Sequence, residues 1–405
     1  MSTYSLNQQV FSLSLMINSQ NGNSGDSSDS TSTYEDTLKT DITSWFGDAT
    51  IQGYLGDSWQ ISWNPAVYES GQDGANQNLY NLDNALFAAK GSYSFDGTTR
   101  NVVVVSVAGT NNTSGFDIVT EDGEVGEKVG LFGAEQREDD TPMIALGNSV
   151  ALNILTDLTS DAPLLGQTDL LLQNYLAQEA DSDTYLIFTG HSLGASLASI
   201  LAVYLFGSDN PKLSKSDWKD VYVFPTAPPS FGDANFVAAH EALFPLIQNG
   251  NSSGTSDDDS AWNGRYVNTL DIVPMAWADN ASNDYSNIYA SLGIVPTCCL
   301  QKVINAAFDG VDGYAAIPEI YTFEGDFEQP FCVAPTKAEK PDNDYLQQVM
   351  HQHVDVYVEQ LQVTGVAGIV LKDYDPSQDK IDFCARTAVT LGILYKETDC
   401  NPADC

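Results

Sequence analysis

The chain has few basic residues. Its 405 residues include 16 lysines and arginines against 55 aspartates and glutamates, which gives a formal net charge of −39. A surface this acidic repels nucleic acid and anionic lipid headgroups, so we expect neither as a partner. We interpret the charge as a solubility feature rather than as a dedicated cation-binding surface.

Long apolar runs are also missing. No stretch of 18 or more apolar residues occurs, so no membrane-spanning helix is predicted. The first 20 residues have neither a basic beginning nor a continuous apolar segment, so we expect no secretory signal. The sequence leaves the cellular location of the protein open: it could be cytoplasmic, or it could be exported by a non-classical route.

Cysteine is scarce and occurs only late in the chain, at Cys298, Cys299, Cys332, Cys384, Cys400 and Cys405. These positions do not have zinc-type spacing, so no structural zinc site is predicted. Their even number permits disulfides, but a reduced state fits equally well. The acidic run at 373–379 lacks the glycine and closing glutamate of an EF-hand loop, so a calcium site is not expected there.

The remaining composition is that of a globular protein, with 42% hydrophobic and 10% aromatic residues. Apolar runs bounded by turn residues predict strands at 101–110, 184–190, 220–229 and 265–274. Residues 193–207 are apolar on nearly every side and stop at Gly207, which predicts a buried helix. Strands alternating with helices predict an α/β fold, a mostly parallel central sheet with helices on both faces.

One short motif lies between a predicted strand and a predicted helix. Residues 190–194 read Gly-His-Ser-Leu-Gly, so Ser192 stands between two glycines on a sharp turn. Glycine removes the side chains that such a turn cannot accommodate, and this setting is typical of a nucleophilic serine. A second Gly-x-Ser-x-Gly, around Ser252, lies in a polar stretch with no strand or helix beside it, and we interpret it as a chance match.

A nucleophilic serine needs a base, and the chain has only four histidines: His191, His240, His351 and His353. His191 is the neighbour of the serine and is expected to point elsewhere. His240 lies on an amphipathic helix with no acid partner, which favours a structural role. His353 shares an apolar helix face with Tyr357, whereas His351 faces differently, so His353 is favoured and His351 stays the alternative.

The acid that orients the base is expected at a strand end, between the serine and the histidine in chain order. Asp271 meets this requirement, because it follows the apolar strand that begins at 265 and precedes Pro274. Buried beside an imidazole, its carboxylate would fix the tautomer and stabilise the imidazolium.

With these residues in place, the chain resembles the class 3, or fungal-type, lipase family of the α/β-hydrolase superfamily over roughly residues 75–365. The resemblance lies in the nucleophile motif at 190–194, the Asp-x-Val-Pro motif at 271–274, the Gly109-Thr110 turn and the segment QHVDVY at 352–357. The chain departs from the family at Ala108, where an arginine is usual, and at Pro225, where a glycine is common.

The resemblance implies an α/β-hydrolase fold and a role for each site residue. Ser192 would be the nucleophile, His353 the base and Asp271 the residue that orients it. The backbone N–H groups of Leu193 and Thr110 would form the oxyanion hole. No metal or organic cofactor is implied.

The same resemblance suggests how the chain is organised. It predicts an N-terminal extension at 1–75, a lipase-like core at 76–365 and a C-terminal extension at 366–405. A glycine-rich segment at 115–140 lies where the family carries its lid, which predicts a mobile cover for an apolar cleft.

The sequence therefore predicts a serine carboxylic ester hydrolase, most simply a lipase that cleaves acylglycerols at a lipid–water interface. A phospholipase A1 or a feruloyl-type esterase keeps the same chemistry with another substrate. A non-catalytic lipid-binding protein on a hydrolase scaffold is the remaining alternative.

Overall fold

The computed structural model describes residues 3–20, 31–69, 83–95, 97–110, 125–133, 140–207, 211–248, 261–278, 285–308, 313–328 and 340–371. The motif around Ser252, the acidic run at 373–379 and most of the predicted lid and C-terminal extension lie outside these residues. Of the cysteines, Cys298 and Cys299 are disulfide-bonded.

The described strands are Gln60–Tyr68 (β1), Asn84–Phe95 (β2), Thr98–Val107 (β3), Lys128–Gly130 (β4), Met143–Ala145 (β5), Thr159–Ala162 (β6), Gln167–Leu171 (β7), Thr184–His191 (β8), Asp220–Thr226 (β9), Arg265–Asn268 (β10) and Glu319–Phe323 (β11). The described helices are Leu6–Ile17 (α1), Thr31–Gly47 (α2), Ala49–Leu55 (α3), Leu146–Asp157 (α4), Leu172–Glu179 (α5), Leu193–Phe206 (α6), Ala234–Leu243 (α7), Cys298–Phe308 (α8), Lys340–Met350 (α9), Val356–Gln360 (α10) and Thr364–Val370 (α11). In this part of the chain, none of the helices has the length and apolar character needed to cross a membrane.

The main sheet of the described residues has seven strands in the order β1-β2-β3-β8-β9-β10-β11. The five strands from β3 to β11 are parallel, and β2 and β1 add antiparallel to one edge. The predicted α/β fold with a mostly parallel sheet is therefore confirmed. The carboxyl ends of β3, β8, β9 and β10 meet at one edge, which is where such sheets place their sites.

Side chains that alternate along each strand fill two separate cores. On β3, Val102 and Val104 belong to the core beneath α1 and α11, whereas Val103 and Val105 belong to the core beneath α6. All four valines are fully buried, and each burial contributes about 1.5–3 kcal/mol. A strand covered on both faces has no polar side, which explains why the apolar run around 101–110 predicted it correctly.

Three strands end earlier than their sequence pattern predicts, and the first of them is β3, which ends at Val107. β9 ends at Thr226 and β10 ends at Asn268, and residues 273–275 form a short 3-10 helix instead of continuing the strand. Pro274 lies near the beginning of that helix and has no N–H to donate to a neighbouring strand. The shorter β10 places Asp271 in the turn beyond the sheet edge.

His240 is a structural residue of α7. Its side chain is fully buried between the rings of Phe236 and Phe244, and neither ring nitrogen has a hydrogen-bond partner among the described residues. Burial lowers the pKa of His240 from 6.5 to about 4. The imidazole is therefore neutral in the folded protein at neutral pH, in agreement with the expected structural role.

The buried imidazole predicts a loss of stability in acid. Because its pKa is lower in the folded state than in the unfolded chain, His240 stabilises the fold fully above pH 6.5 and less as the pH falls toward 4. Between pH 7.5 and pH 5 this loss amounts to about 2 kcal/mol in the free energy of unfolding. Urea denaturation at both pH values should show that His240→Leu reduces the difference by about that amount.

Phe244→Leu is the matched control, because it changes a neighbouring ring without removing a titrating group. It should lower the free energy of unfolding equally at both pH values. An unchanged pH dependence in His240→Leu would contradict the assignment.

Candidate active site

Ser192 occupies the sharp turn between β8 and α6. Its backbone has φ 59° and ψ −133°, a conformation that L-residues rarely adopt and that costs about 1–3 kcal/mol. The Ser192 N–H donates to the carbonyl of Thr226 at 3.0 Å, which ties the turn to the end of β9. The strain is thus held by the surrounding sheet and helix, and it sets Ser192 at the beginning of the helix.

Gly190 and Gly194 have the steric role expected from the motif. A Cβ on Gly190 would lie 2.3 Å from the carbonyl carbon and oxygen of Gly194. A Cβ on Gly194 would lie 2.4 Å from the carbonyl oxygen of Val107 on β3. Both contacts are with backbone atoms, which cannot rotate away as a side chain could. The helix α6 therefore reaches its position only with glycine at these two positions.

Asp271 and His353 meet across 82 residues of sequence. His353 Nδ1 lies 2.8 Å from Asp271 Oδ2, and the Asp271 side chain is fully buried. Because the carboxylate accepts, Nδ1 carries the proton and Nε2 keeps the lone pair that a general base needs. The Val273 N–H donates to the other carboxylate oxygen at 3.0 Å.

Tyr357 completes the shell of donors around Asp271. Its hydroxyl donates to Asp271 Oδ2 at 3.0 Å and accepts from the Asn268 N–H at 3.0 Å. Burial, and then the charge of Asp271, raise the pKa of Tyr357 well above 10, so the hydroxyl keeps its proton. The sequence analysis placed Tyr357 on the same apolar helix face as His353 but gave it no role in the site. Its position four residues after His353 on that face was the signal that could have indicated one.

A π-helical turn, His351–Asp355, joins α9 to α10 and carries both candidate bases. His351 Nδ1 lies 3.1 Å from Asp355 Oδ2 and 3.5 Å from Glu328 Oε2. Burial opposes the charged ring, but the hydrogen bond and charge of Asp355 and the charge of Glu328 outweigh it and raise the pKa of His351. The structure thus pairs His353 with Asp271, and His351 with other carboxylates.

His351 and its two carboxylate partners also form a group that could hold a metal ion. The candidate ligand atoms of Glu328, His351 and Asp355 lie within 4.8 Å of one another. When His351 is protonated, its charge balances part of the charge of the two carboxylates.

His191, next to the serine, contacts the backbone of His353. Its Nε2–H donates to the His353 carbonyl at 2.7 Å, because a carbonyl only accepts, and its Nδ1 lies 3.0 Å from the Thr226 hydroxyl, which donates to the Gly190 carbonyl at 3.1 Å. Burial, and then the neighbouring His353, lower the pKa of His191 well below 6.5. The neutral ring therefore fixes the backbone of the base relative to the elbow, a role that the sequence did not indicate.

The two predicted oxyanion donors lie beside the elbow. Leu193 is the first residue of α6, so its N–H has no helical carbonyl to bind and lies at the positive end of the helix dipole. Thr110 follows β3, whose Val107 pairs with Gly190 in the sheet. A Cβ on Gly109 would lie 2.6 Å from the His191 carbonyl oxygen and 3.4 Å from Ser192 Cβ, so this turn is packed against the elbow.

Comparison with known proteins points to one family. Residues 143–280 match the model of the class 3 lipase family. This segment contains Ser192 and Asp271, whereas Thr110 and His353 lie outside it, so the match is narrower than the resemblance noted in the sequence. No curated protein is significantly similar to the chain.

Among the similar solved structures, one lipase shares the fold of this chain. M37 lipase is 22% identical, with a TM-score of 0.63, and the alignment covers 91% of this chain and 98% of that one. The Lip2 lipase from Yarrowia lipolytica is 19% identical, with a TM-score of 0.33 and coverage of 62% and 65%. The Rhizomucor miehei lipase in complex with its propeptide is 16% identical, with a TM-score of 0.31 and coverage of 61% and 64%. Only the first superposes closely enough to establish a shared fold.

Proposed function

We propose that this chain, a carboxylic ester hydrolase of the class 3 lipase type over residues 143–280, cleaves acylglycerol esters through Ser192, His353 and Asp271. The observation that carries the proposal is the buried Asp271–His353 pair at 2.8 Å, linked through His191 to a strained serine elbow. A non-catalytic binding protein has no need of a strained serine or of a buried carboxylate aligned on an imidazole.

The proposed reaction begins with attack of Ser192 Oγ on the ester carbonyl. His353 Nε2 takes the hydroxyl proton, and Asp271 holds Nδ1–H and stabilises the imidazolium that forms. The carbonyl oxygen becomes an oxyanion, which accepts from the N–H groups of Leu193 and Thr110.

Collapse of this intermediate breaks the bond to the alcohol, which leaves with the proton from His353, and the acyl group stays on Ser192. Water then attacks the acyl-enzyme by the same proton relay and releases the fatty acid. No step requires a metal ion or an organic cofactor.

Acylglycerols are preferred over anionic phospholipids because of charge. A chain with a net charge of −39 is repelled by anionic phospholipid surfaces, whereas neutral acylglycerol droplets repel it less.

The segment 115–140 remains the proposed lid, and deleting or locking it should abolish activation by emulsified substrate.

A fluorophosphonate probe tests whether the site is catalytic. We expect covalent labelling of the wild type at Ser192 and none in Ser192→Ala. Ser252→Ala is the matched control, since Ser252 lies in the second Gly-x-Ser-x-Gly match and should not affect labelling. Labelling that persists in Ser192→Ala, or a wild type that does not react, would exclude the proposed nucleophile.

A substrate panel then decides the ester class. Emulsified triacylglycerols of increasing chain length should be hydrolysed faster than methyl ferulate or vesicles of phosphatidylcholine or of anionic phosphatidylglycerol. Faster release of fatty acid from phosphatidylcholine would assign a phospholipase A1, and faster cleavage of methyl ferulate would assign a feruloyl-type esterase.

A further inference from the structure

The N-terminal helix α1 is an internal part of the fold. All twelve of its residues are buried, and it packs on the sheet face formed by β3, β8 and β9. Its beginning is closed by a capping box between Ser5 and Gln8, and its end at Asn18 lies at the carboxyl edge of the sheet. The helix therefore delivers one polar side chain to the edge that carries the proposed active site.

The side chain of Asn18 donates one hydrogen bond and accepts another within the described part of the chain. Its Nδ2 donates to the Ser14 carbonyl at 2.6 Å, and its Oδ1 accepts from the Gly109 N–H at 2.7 Å. The reversed amide would place a donor against the Gly109 N–H and an acceptor against the Ser14 carbonyl. Among side chains of this size, only asparagine supplies both a donor and an acceptor here.

The bond to Gly109 fixes the turn that bears Thr110. A Cβ at 109 would lie 2.6 Å from the His191 carbonyl oxygen and 3.5 Å from Asn18 Oδ1, so the turn is held between the elbow and Asn18. Fixing the Gly109 N–H sets the plane of the peptide before Gly109. The next peptide carries the Thr110 N–H. The direction of this N–H therefore depends on the peptide plane that Asn18 holds in place.

We propose that Asn18 is a positioning residue, supplied by the N-terminal helix, that orients the Thr110 half of the oxyanion hole. This inference rests on the proposed ester hydrolysis. It gives α1 a role in the rate of the reaction as well as in the stability of the fold, although α1 lies outside the segment that matches the family.

Asn18→Leu tests the proposal, since it keeps the size of the side chain and removes both hydrogen bonds. Complete removal of an oxyanion donor costs about 10²–10³-fold in rate, so a misdirected one should lower kcat on p-nitrophenyl butyrate by about 10- to 100-fold. KM should change by less than about twofold, because the loss affects only the transition state.

A boronic acid inhibitor provides a readout that fold stability alone does not alter. Its tetrahedral adduct with Ser192 places an oxygen in the oxyanion hole, so its affinity should weaken by about the same factor as kcat. The matched control is Gln8→Leu, which removes the Gln8 Nε2 donor to the Leu361 carbonyl at the other end of α1. Gln8→Leu should lower the melting temperature and leave kcat and boronate affinity within about twofold of the wild-type values.

The outcomes separate this inference from the proposed function. Full activity in Ser192→Ala would overturn the proposed function itself. With Ser192→Ala inactive, unchanged kcat and boronate affinity in Asn18→Leu would overturn the role of Asn18, as would an equal loss in Gln8→Leu. If Asn18→Leu does not fold, Asn18→Ala is measured in its place with the same expectations.

Discussion

Ser192→Ala is expected to lower kcat by about 10⁵–10⁶-fold on p-nitrophenyl butyrate, the largest effect of any single substitution in this chain. The substitution removes the only atom that can form the acyl-enzyme, while the oxyanion donors and the base remain in place. Steady-state kinetics, with the rate of spontaneous hydrolysis subtracted, measures the loss.

The fold should survive this change. Alanine keeps the strained backbone of residue 192, so the free energy of unfolding should stay close to that of the wild type. Ser192→Gly relieves the strain at φ 59° and should unfold with a free energy about 1 kcal/mol higher than Ser192→Ala. Retained hydrolysis in both variants would place the nucleophile elsewhere.

Asp271→Asn is expected to lower kcat by about 10⁴-fold. The amide is nearly the same size as the carboxylate, but it presents an N–H₂ group where His353 and Tyr357 require acceptors. The imidazole then loses the tautomer that leaves Nε2 free to take a proton, and the imidazolium loses its buried counter-charge. Kinetics with saturating p-nitrophenyl butyrate measures this effect.

Asp342→Asn is the matched control for a buried carboxylate. Asp342 is fully buried and accepts from the Thr297 hydroxyl at 2.6 Å, in contacts separate from those of His353. Its substitution should lower the melting temperature and leave kcat within about threefold. Equal losses of kcat in the two aspartate variants would show that Asp271 supports only the fold.

The conformation of the elbow could be predicted because it is local. Gly190, Ser192 and Gly194 are adjacent in the chain, and the steric demand of a sharp turn is the same in any protein that makes one. The strands β3 and β8 could also be predicted from their apolar runs, because a strand buried on both faces has no polar face. Asp271 was proposed from its place after a strand, whereas its hydrogen bonds could not be predicted from the sequence.

The choice between His351 and His353 required the fold. Both lie on one π-helical turn, and their side chains reach different carboxylates. An ordinary helical pattern suggested the favoured residue, but the pairing of His353 with Asp271 and of His351 with Asp355 arises from packing against β10.

The sequence by itself determined the layered α/β architecture and the serine elbow, since periodicity and turn sterics act between residues close in the chain. Tertiary structure alone decided which polar groups support the proposed site: His191 contacts His353, Tyr357 contacts Asp271 and Asn18 contacts Gly109. Asn18 and Gly109 are 91 positions apart, and their hydrogen bond exists only because α1 packs on the face of the sheet that contains β3. Such contacts depend on where the chain folds in space, and no local pattern of residue types encodes that.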